Sequence, residues 1–228
     1  MPALQVAEDP APVIDATRPL QVRARDQSVV ASRLRAGCTG ASTCVGYTLS
    51  ASLRTLHFDT PRLCVSPLRD IDCHLFASLF TAPVIMRHVG RPLAPGAVST
   101  AFDAVLAEMD RVPACRLYWT LATRDGADVG LISLSTGPGI GLAEMGIMLV
   151  SNAQGRGLAR EACTALLAEV FRTSLVCSVL LRHRRGNAAM AALAGRLGFQ
   201  SPDVEGGLCQ WRLELAGWEG LARPQPCE

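Results

Sequence analysis

The spacing of hydrophobic and polar residues becomes regular only after about residue 56. Before that point the chain has four prolines, short polar stretches and a single aromatic residue, Tyr47. A loose apolar face allows one helix over about residues 19–34. This composition is typical of a weakly packed appendage. We therefore predict an N-terminal extension at 1–56 that is weakly structured or holds a short helix, a domain at 57–218 and a C-terminal tail at 219–228.

After residue 56 the first regular signals are one strand and two helices. In "RLCVSP", Leu63 and Val65 point to the same side, which predicts a strand near 62–67. Residues 70–80 predict a helix, and "VSTAFDAVLAEMDR" predicts a longer one with Ser99 or Thr100 as its N-cap. The apolar face of the longer helix consists of Phe102, Val105, Leu106 and Met109.

Three strands follow, and then helices and strands alternate. The runs "CRLYWTLAT" and "DVGLISLST", joined by the turn-forming "RDGAD", predict a hairpin, and "LAEMGIMLV" predicts a third strand at 142–150. The next segment places Leu158, Ala162, Leu166 and Val170 at helical spacing. "SLVCSVLLR" predicts a buried strand, "NAAMAALAGRLGF" a helix that ends at Gly198, and "LCQWRLEL" a last strand. This order predicts an α/β fold with a mixed sheet covered by helices.

Composition and charge narrow the class of protein. The chain of 228 residues fits one domain with an extension, and a net charge of +2 with no long basic run argues against nucleic acid as a partner. No apolar run reaches about 18 residues and no secretion signal opens the chain, so neither membrane spanning nor secretion is expected. The nine cysteines have no metal-ligand spacing. We predict reduced thiols in a cytoplasmic protein without a metal.

A glycine-containing stretch, "QGRG", stands between the predicted strand at 142–150 and the next helix. The first N–H groups of a helix have no partner inside it and lie at the positive end of its dipole, so they can bind an anion. Gly155 and Gly157 would let the backbone approach a pyrophosphate closely. A triphosphate-binding GxxxxGK[ST] loop is absent, since the chain has no lysine. Taken alone, the stretch fits a structural turn as well as a phosphate site.

The spacing of Gln154, Gly157 and Ala159, together with "NAAMAALAGRLGF" at 187–199, resembles the GNAT N-acetyltransferase superfamily. Within it, the chain is similar to the RimJ/RimL type of ribosomal-protein acetyltransferase. "TPRLCVSPLRDID" at 60–72 is similar to that group's "TxRLxLRxL...D", and "TAPVIMRHVG" to its "DPEVMRYLG". The resemblance covers about residues 56–216 and implies the GNAT fold, a mixed and mostly antiparallel central sheet flanked by helices.

The resemblance implies acetyl-CoA as cosubstrate. The predicted strand would separate from its neighbour near its end and pair with the pantetheine arm, while the N–H groups of the loop would hold the pyrophosphate. Arg156 or Arg160 would lie near the 3'-phosphate or, equally well, start a solvated helix. Asn187 would bind pantetheine, cap its helix, or do both. The residues implied in cofactor binding are Met148, Leu149, Val150, Gln154, Gly155, Arg156, Gly157, Leu158, Ala159, Arg160 and Asn187.

The resemblance also implies transfer of the acetyl group to a primary amine of a small molecule or of a protein N-terminus, by direct attack in a ternary complex. An attacking amine must be neutral, and Glu144 in "AEMG", similar to the family's "AEIGY", is the candidate base. The alternative for Glu144 is a structural carboxylate that faces solvent or an arginine of a neighbouring strand. The positions of the family's usual proton donor hold Met190 and Ala194, so water, Ser133 or Ser135 would have to protonate the CoA thiolate, unless it leaves directly.

Met190, Ala194 and the N-terminal extension leave a second hypothesis open. The chain would then be an acyl-CoA-binding regulatory or interaction module with little catalytic activity. Both a monomer and a homodimer fit the sequence, and it does not identify the acceptor amine.

Overall fold

The computed structural model describes residue 49 and residues 51–112, 114–137, 140–173 and 176–221. The predicted helix at 19–34 lies outside these residues. None of the described helices is long and apolar enough to cross a membrane.

Seven α-helices and eight strands make up the described part of the chain. In chain order they are α1 (Ala51–Arg54), β1 (Phe58–Asp59), β2 (Leu63–Pro67), α2 (Cys73–Phe80), α3 (Pro83–Met86), α4 (Val98–Met109), β3 (Arg116–Thr123), β4 (Asp128–Thr136), β5 (Leu142–Leu149), α5 (Leu158–Thr173), β6 (Ser178–Arg184), α6 (Ala188–Arg196), β7 (Gln200–Glu205), β8 (Leu208–Glu214) and α7 (Leu215–Leu221). Short 3-10 helices lie at Asp70–Asp72, Pro95–Ala97 and Ser151–Ala153.

The strands form one sheet in the order β1-β2-β3-β4-β5-β6-β8-β7. All neighbouring strands are antiparallel except β5 and β6, which are parallel and connected through α5. The predicted fold class is therefore confirmed: an α/β protein with a mixed and mostly antiparallel sheet flanked by helices.

The two faces of the sheet carry separate hydrophobic clusters. Neighbouring residues of β4 divide between them, Ile132 to one and Leu131 to the other, because side chains alternate along a strand. α5 and α6 pack on the first cluster, and α2 and α4 on the second. The predicted face of α5 is confirmed, since its four apolar residues are almost completely buried: Leu158, Ala162, Leu166 and Val170.

Residues near both predicted domain boundaries pack on the first cluster. Leu49 and Leu53 precede the boundary at 56 and are buried, and Trp218 in α7 is buried at the other end. The boundaries themselves stay predictions.

The secondary structure differs from the sequence-based expectation in several details, and β1, α3 and α7 were not predicted. α4 begins at Val98 with Ala97 as its N-cap, so the prediction of Ser99 or Thr100 as cap was wrong. The 3-10 helix at Pro95–Ala97 leads straight into α4 and moves its start forward. β6 begins at Ser178, later than the apolar run in the sequence. β7 was not predicted, because it is an exposed edge strand that needs no alternating apolar face.

Gly130 in β4 supports a close approach of β5. A Cβ atom at this position would lie 2.2 Å from the carbonyl oxygen of Met148 and 2.6 Å from a side-chain carbon of Leu149. We expect Gly130→Ala to lower the free energy of unfolding by about 1–3 kcal/mol, because the two strands must move apart. Urea denaturation measures the change.

Gly96→Ala is the control for this substitution. A Cβ atom there would have no neighbour within 4 Å, so we expect a change of less than about 0.5 kcal/mol. Equal stability of the Gly130→Ala variant and the wild type would contradict the close approach.

Candidate functional site

β5 separates from β6 halfway along its length. It pairs with β4 up to Leu149, opposite Gly130, but with β6 only from Leu142 to Met145. β6 continues to Arg184 paired with β8 alone. One edge of residues 146–149 therefore has no strand partner in the described structure. This is the separation that the family resemblance implied for the strand.

A cavity of about 430 Å³ lies at this separation. Its walls are α3 and the residues after it, the end of β5, the loop before α5 and the first turns of α6. α6 contributes three alanines to the wall, Ala188, Ala189 and Ala192, together with Met190, Leu193 and Arg196. The predicted cofactor-binding residues that line the cavity are Met148, Leu149, Gln154, Gly155, Gly157, Ala159, Arg160 and Asn187.

The loop presents a run of unpaired backbone N–H groups. From residue 155 to residue 160, none of these groups has a hydrogen-bond acceptor among the described residues. The amide before the run, that of Gln154, donates to the carbonyl of Ser151 at 3.4 Å, and the amide after it, that of Glu161, donates to the carbonyl of Gly157 at 3.2 Å. Such a run of free donors at a helix start is suited to an anion.

Two glycines give this loop its shape. Gly155 and Gly157 have φ values of 74° and 78°, in the left-handed region that side chains disfavour. A Cβ atom on Gly155 would have no neighbour within 4 Å, so conformation alone requires glycine there. Left-handed residues within a turn direct successive N–H groups into one concave surface.

The charge of the cavity wall is positive. Arg87, Arg160 and Arg196 line it, together with His88, and no aspartate or glutamate is among its described lining residues. Of these four residues, the sequence indicated only Arg160 as a cofactor-binding residue. Arg87 and His88 follow α3, and Arg196 ends α6, so only the tertiary fold brings them to the loop. Arg87 and His88 stand in "TAPVIMRHVG", a segment already similar to the family, whereas no local sequence signal marks Arg196.

Three predicted residues hold the loop without lining the cavity. The N–H of Val150 donates to the carbonyl of Val129 at 3.0 Å, so it is already used by β4. Leu158 is buried in the first cluster. The carbonyl of Arg156 accepts a hydrogen bond from Arg62 at 2.8 Å.

The side chains of Gln154 and Asn187 both make local hydrogen bonds. Gln154 Nε2 donates to the carbonyl of Leu149 at 2.9 Å and so holds the turn against the end of β5. Asn187 Oδ1 accepts from the N–H of Met190 at 3.2 Å and caps α6. Its amide nitrogen remains compatible with a ligand contact, because the residue also lines the cavity. Met190 lines the cavity too, whereas Ala194 is fully buried.

Glu144 forms an ion pair with Arg182 of β6. The side chain of Glu144 is 25% exposed and that of Arg182 is 12% exposed, and Arg182 Nε is buried without a hydrogen-bond partner among the described residues. An arginine of a neighbouring strand is the structural alternative that the sequence offers for Glu144, and the structure contains that contact.

Glu144 does not line the cavity, but it shares a sheet face with Met148, which does. Glu144 and Met148 are four positions apart along the strand, so their Cα atoms are separated by roughly 13 Å. Between them lies Gly146, and a Cβ atom there would be 2.9 Å from Ser133 Oγ. The strand therefore offers no side chain between the carboxylate and the cavity on this face.

Metal-ligating groups are not clustered in the described residues. No set of three or more His, Cys, Asp or Glu side chains there could hold a metal ion. Cys163 is a buried free thiol, and its burial raises its pKa to about 12.

Comparison with known proteins gives one family and many similar folds. The family described as "Acetyltransferase (GNAT) domain" matches residues 62–200. No curated protein matches the sequence.

Solved structures resemble the chain over most of its length. Spermidine N-acetyltransferase from Vibrio cholerae, in complex with CoA and spermine, is 15% identical, with a TM-score of 0.61 over 69% of this chain and 98% of that one. The ribosomal L7/L12 alpha-N-protein acetyltransferase RimL, in complex with CoA, is 14% identical, with a TM-score of 0.60 over 69% and 97%. An acetyltransferase from Agrobacterium tumefaciens str. C58 is 22% identical, with a TM-score of 0.59 over 78% and 99%. These likenesses concern the fold.

Proposed function

This chain belongs to the acetyltransferase (GNAT) domain family, and we propose that it is an acetyl-CoA-dependent N-acyltransferase. It would move an acetyl group to a primary amine of a small molecule or of a protein N-terminus. The RimJ/RimL-like branch remains our proposed placement within the family.

The observation that carries this proposal is the run of unpaired N–H groups at 155–160, four of whose residues line the same cavity as the free edge of β5. A pyrophosphate needs several donors on one concave surface, and the loop supplies them. A pantetheine arm has amide groups that pair with a strand edge, and residues 146–149 supply that edge. Arginines without a carboxylate among the described lining residues suit a ligand with several phosphate charges.

Different residues would bind different parts of the cofactor. The amides of Gly155, Gly157 and Ala159 would face the pyrophosphate. Arg160 would reach a phosphate from the first turn of α5. The backbone of Met148 and Leu149 would pair with pantetheine, and the amide nitrogen of Asn187 would donate to it.

Bound acetyl-CoA supplies a thioester carbonyl carbon for the amine to attack. A neutral amine nitrogen forms the new C–N bond as the C–S bond breaks, and the CoA sulfur takes up a proton. A free N–H on the open edge of β5 would stabilise the oxyanion. Glu144 would take the proton of the amine through water, because Gly146 places no β5 side chain between Glu144 and Met148 on that face. Ser133 Oγ lies 2.9 Å from the position that a Cβ atom of Gly146 would occupy, and Ser133 is our candidate to protonate the sulfur.

A second function, an acyl-CoA-binding module with little activity, is favoured by one observation. Met190 lines the cavity and Ala194 is buried, and neither side chain can donate a proton.

The similar structures suggest two acceptor classes for this chain. The Vibrio cholerae enzyme is named for spermidine and RimL for a protein α-amine. Both a small-molecule amine and a protein N-terminus therefore stay candidate acceptors. We also propose a cytoplasmic location, no metal, no nucleic-acid or membrane partner, and a monomer or homodimer built on a domain at 57–218.

Turnover with an amine panel tests the function directly. We expect release of free CoA thiol from acetyl-CoA with at least one primary amine, measured by a thiol reagent. Tight CoA binding in calorimetry without thiol release for any amine would instead favour the binding module. Absence of CoA binding would contradict both.

The phosphate loop is tested by Gly155→Ala. An alanine costs about 1–2 kcal/mol in the left-handed region, so the free loop should relax and CoA binding should weaken by about tenfold in calorimetry. Gly126→Ala is the matched control, because Gly126 also has a positive φ, of 87°, and open space at its Cβ position, but lies in the β3–β4 turn. Equal CoA affinity of both variants would contradict the loop assignment.

Glu144→Gln tests the base. We expect kcat to fall by about 100-fold, within the range of general base catalysis, with an altered pH profile and unchanged CoA affinity. Glu214→Gln is the control, since Glu214 also pairs with an arginine, Arg212, at 3.5 Å. If turnover and its pH profile survive Glu144→Gln, then Glu144 is a structural partner of Arg182.

A further inference from the structure

Arg62, one residue before β2, reaches the loop that carries the unpaired N–H groups. Its Nη1 donates to the carbonyl oxygen of Arg156 at 2.8 Å. Its Nη2 lies 3.4 Å from the position that a Cβ atom of Gly157 would occupy. Arg62 itself is not among the residues that line the cavity. Its guanidinium therefore touches the loop without lining the cavity.

Glu161 in the first turn of α5 holds Arg62 in this position. Its carboxylate accepts from Arg62 Nε at 2.6 Å, from the N–H of Arg62 at 2.8 Å and from Thr60 Oγ1 at 2.6 Å. Burial acts to raise the pKa of Glu161, but the hydrogen bonds from Thr60 and Arg62 hold it below its usual value. The carboxylate is thus charged at neutral pH and fixes both the direction and the reach of the arginine.

The contact with Arg156 determines where one loop amide points. The carbonyl of Arg156 and the N–H of Gly157 belong to the same planar peptide and point in opposite directions. When Arg62 holds the carbonyl on one side, the N–H of Gly157 must point to the other side. Gly157 lines the cavity and its N–H has no acceptor among the described residues, which fits an N–H that opens toward the cavity. A cation at the carbonyl also polarises the peptide and strengthens its N–H as a donor.

We propose that Arg62 is a positioning residue of the cofactor site: clamped by Glu161, it fixes the Arg156–Gly157 peptide so that the Gly157 N–H faces the pyrophosphate of CoA. This inference rests on the proposed function. Two glycines leave the loop free to adopt other conformations, and the arginine selects one of them. The clamp also connects the start of β2 to the start of α5, which are about 100 residues apart in sequence.

Arg62→Lys is the sharpest test. Lysine keeps the charge but lacks the fork that reaches Glu161 and the Arg156 carbonyl at the same time. We expect CoA to bind roughly tenfold more weakly in calorimetry, as for loss of a hydrogen bond from a charged donor. The KM for acetyl-CoA should rise to the same extent while kcat is retained.

Arg124→Lys is the matched control. Its side chain is 49% exposed, against 51% for Arg62. It also joins a carboxylate, that of Asp59 at 2.9 Å, to a carbonyl, that of Thr60 at 2.6 Å, but it does not contact the loop. The two variants should lose similar thermal stability, and CoA affinity should fall only in Arg62→Lys.

An acetyl donor that lacks the pyrophosphate distinguishes a positioning role of Arg62 from a general loss of stability of the fold. S-acetylpantetheine carries the same thioester but no phosphate, so its kcat/KM should be equal in wild type and Arg62→Lys. A parallel fall for both acetyl donors would mean that Arg62 only stabilises the fold and would overturn the inference. Equal CoA affinity of wild type and Arg62→Lys would also overturn it. If the wild type binds no CoA, the proposed function itself is wrong and the inference falls with it.

Discussion

The separation of β5 from β6 after Met145 is the constraint on which the rest of the site depends. Buried backbone groups in proteins require hydrogen-bond partners, so a strand edge left open inside a sheet must be filled by something else. Here β4 keeps β5 on one side through Gly130, whose missing Cβ lets the Met148 carbonyl approach. On the other side, alanines of α6 face the gap and leave room in it. The open edge and the cavity are thus two consequences of one departure from regular pairing.

The loop after β5 owes its shape to contacts outside the cavity. Its two glycines permit left-handed conformations, and the burial of Leu158 directly after them fixes where α5 begins. Gln154 ties the turn to Leu149, and Arg62 holds the Arg156 carbonyl. Anion binding requires donors that already point inward, because reorienting them on binding would cost part of the binding energy. Leu158 and Arg62 therefore matter to the cavity although they do not line it.

The ion pair of Glu144 and Arg182 affects both the stability of the sheet and the proposed reaction. Arg182 is almost buried, and its unpaired Nε carries a desolvation cost that the ion pair with Glu144 offsets only in part. If Glu144 acts as a base in the proposed reaction, an ordered water between it and the amine has to connect them. The ion pair with Arg182 also stabilises the charged carboxylate of Glu144 near the open edge of β5.

The sequence by itself determined the elements whose signals are local: the apolar face of α5, the hairpin of β3 and β4, and the glycine loop with its free helix start. These follow from side-chain periodicity and from backbone geometry, which act over a few residues. The start of α4 and the edge strand β7 escaped prediction, because one is shifted by a preceding 3-10 helix and the other has no buried face. The tertiary structure alone decided the partner of Glu144, the arginines that meet in the cavity and the reach of Arg62 to the loop. Those contacts join residues distant in sequence, and only the packing of the sheet and helices brings them within hydrogen-bond distance.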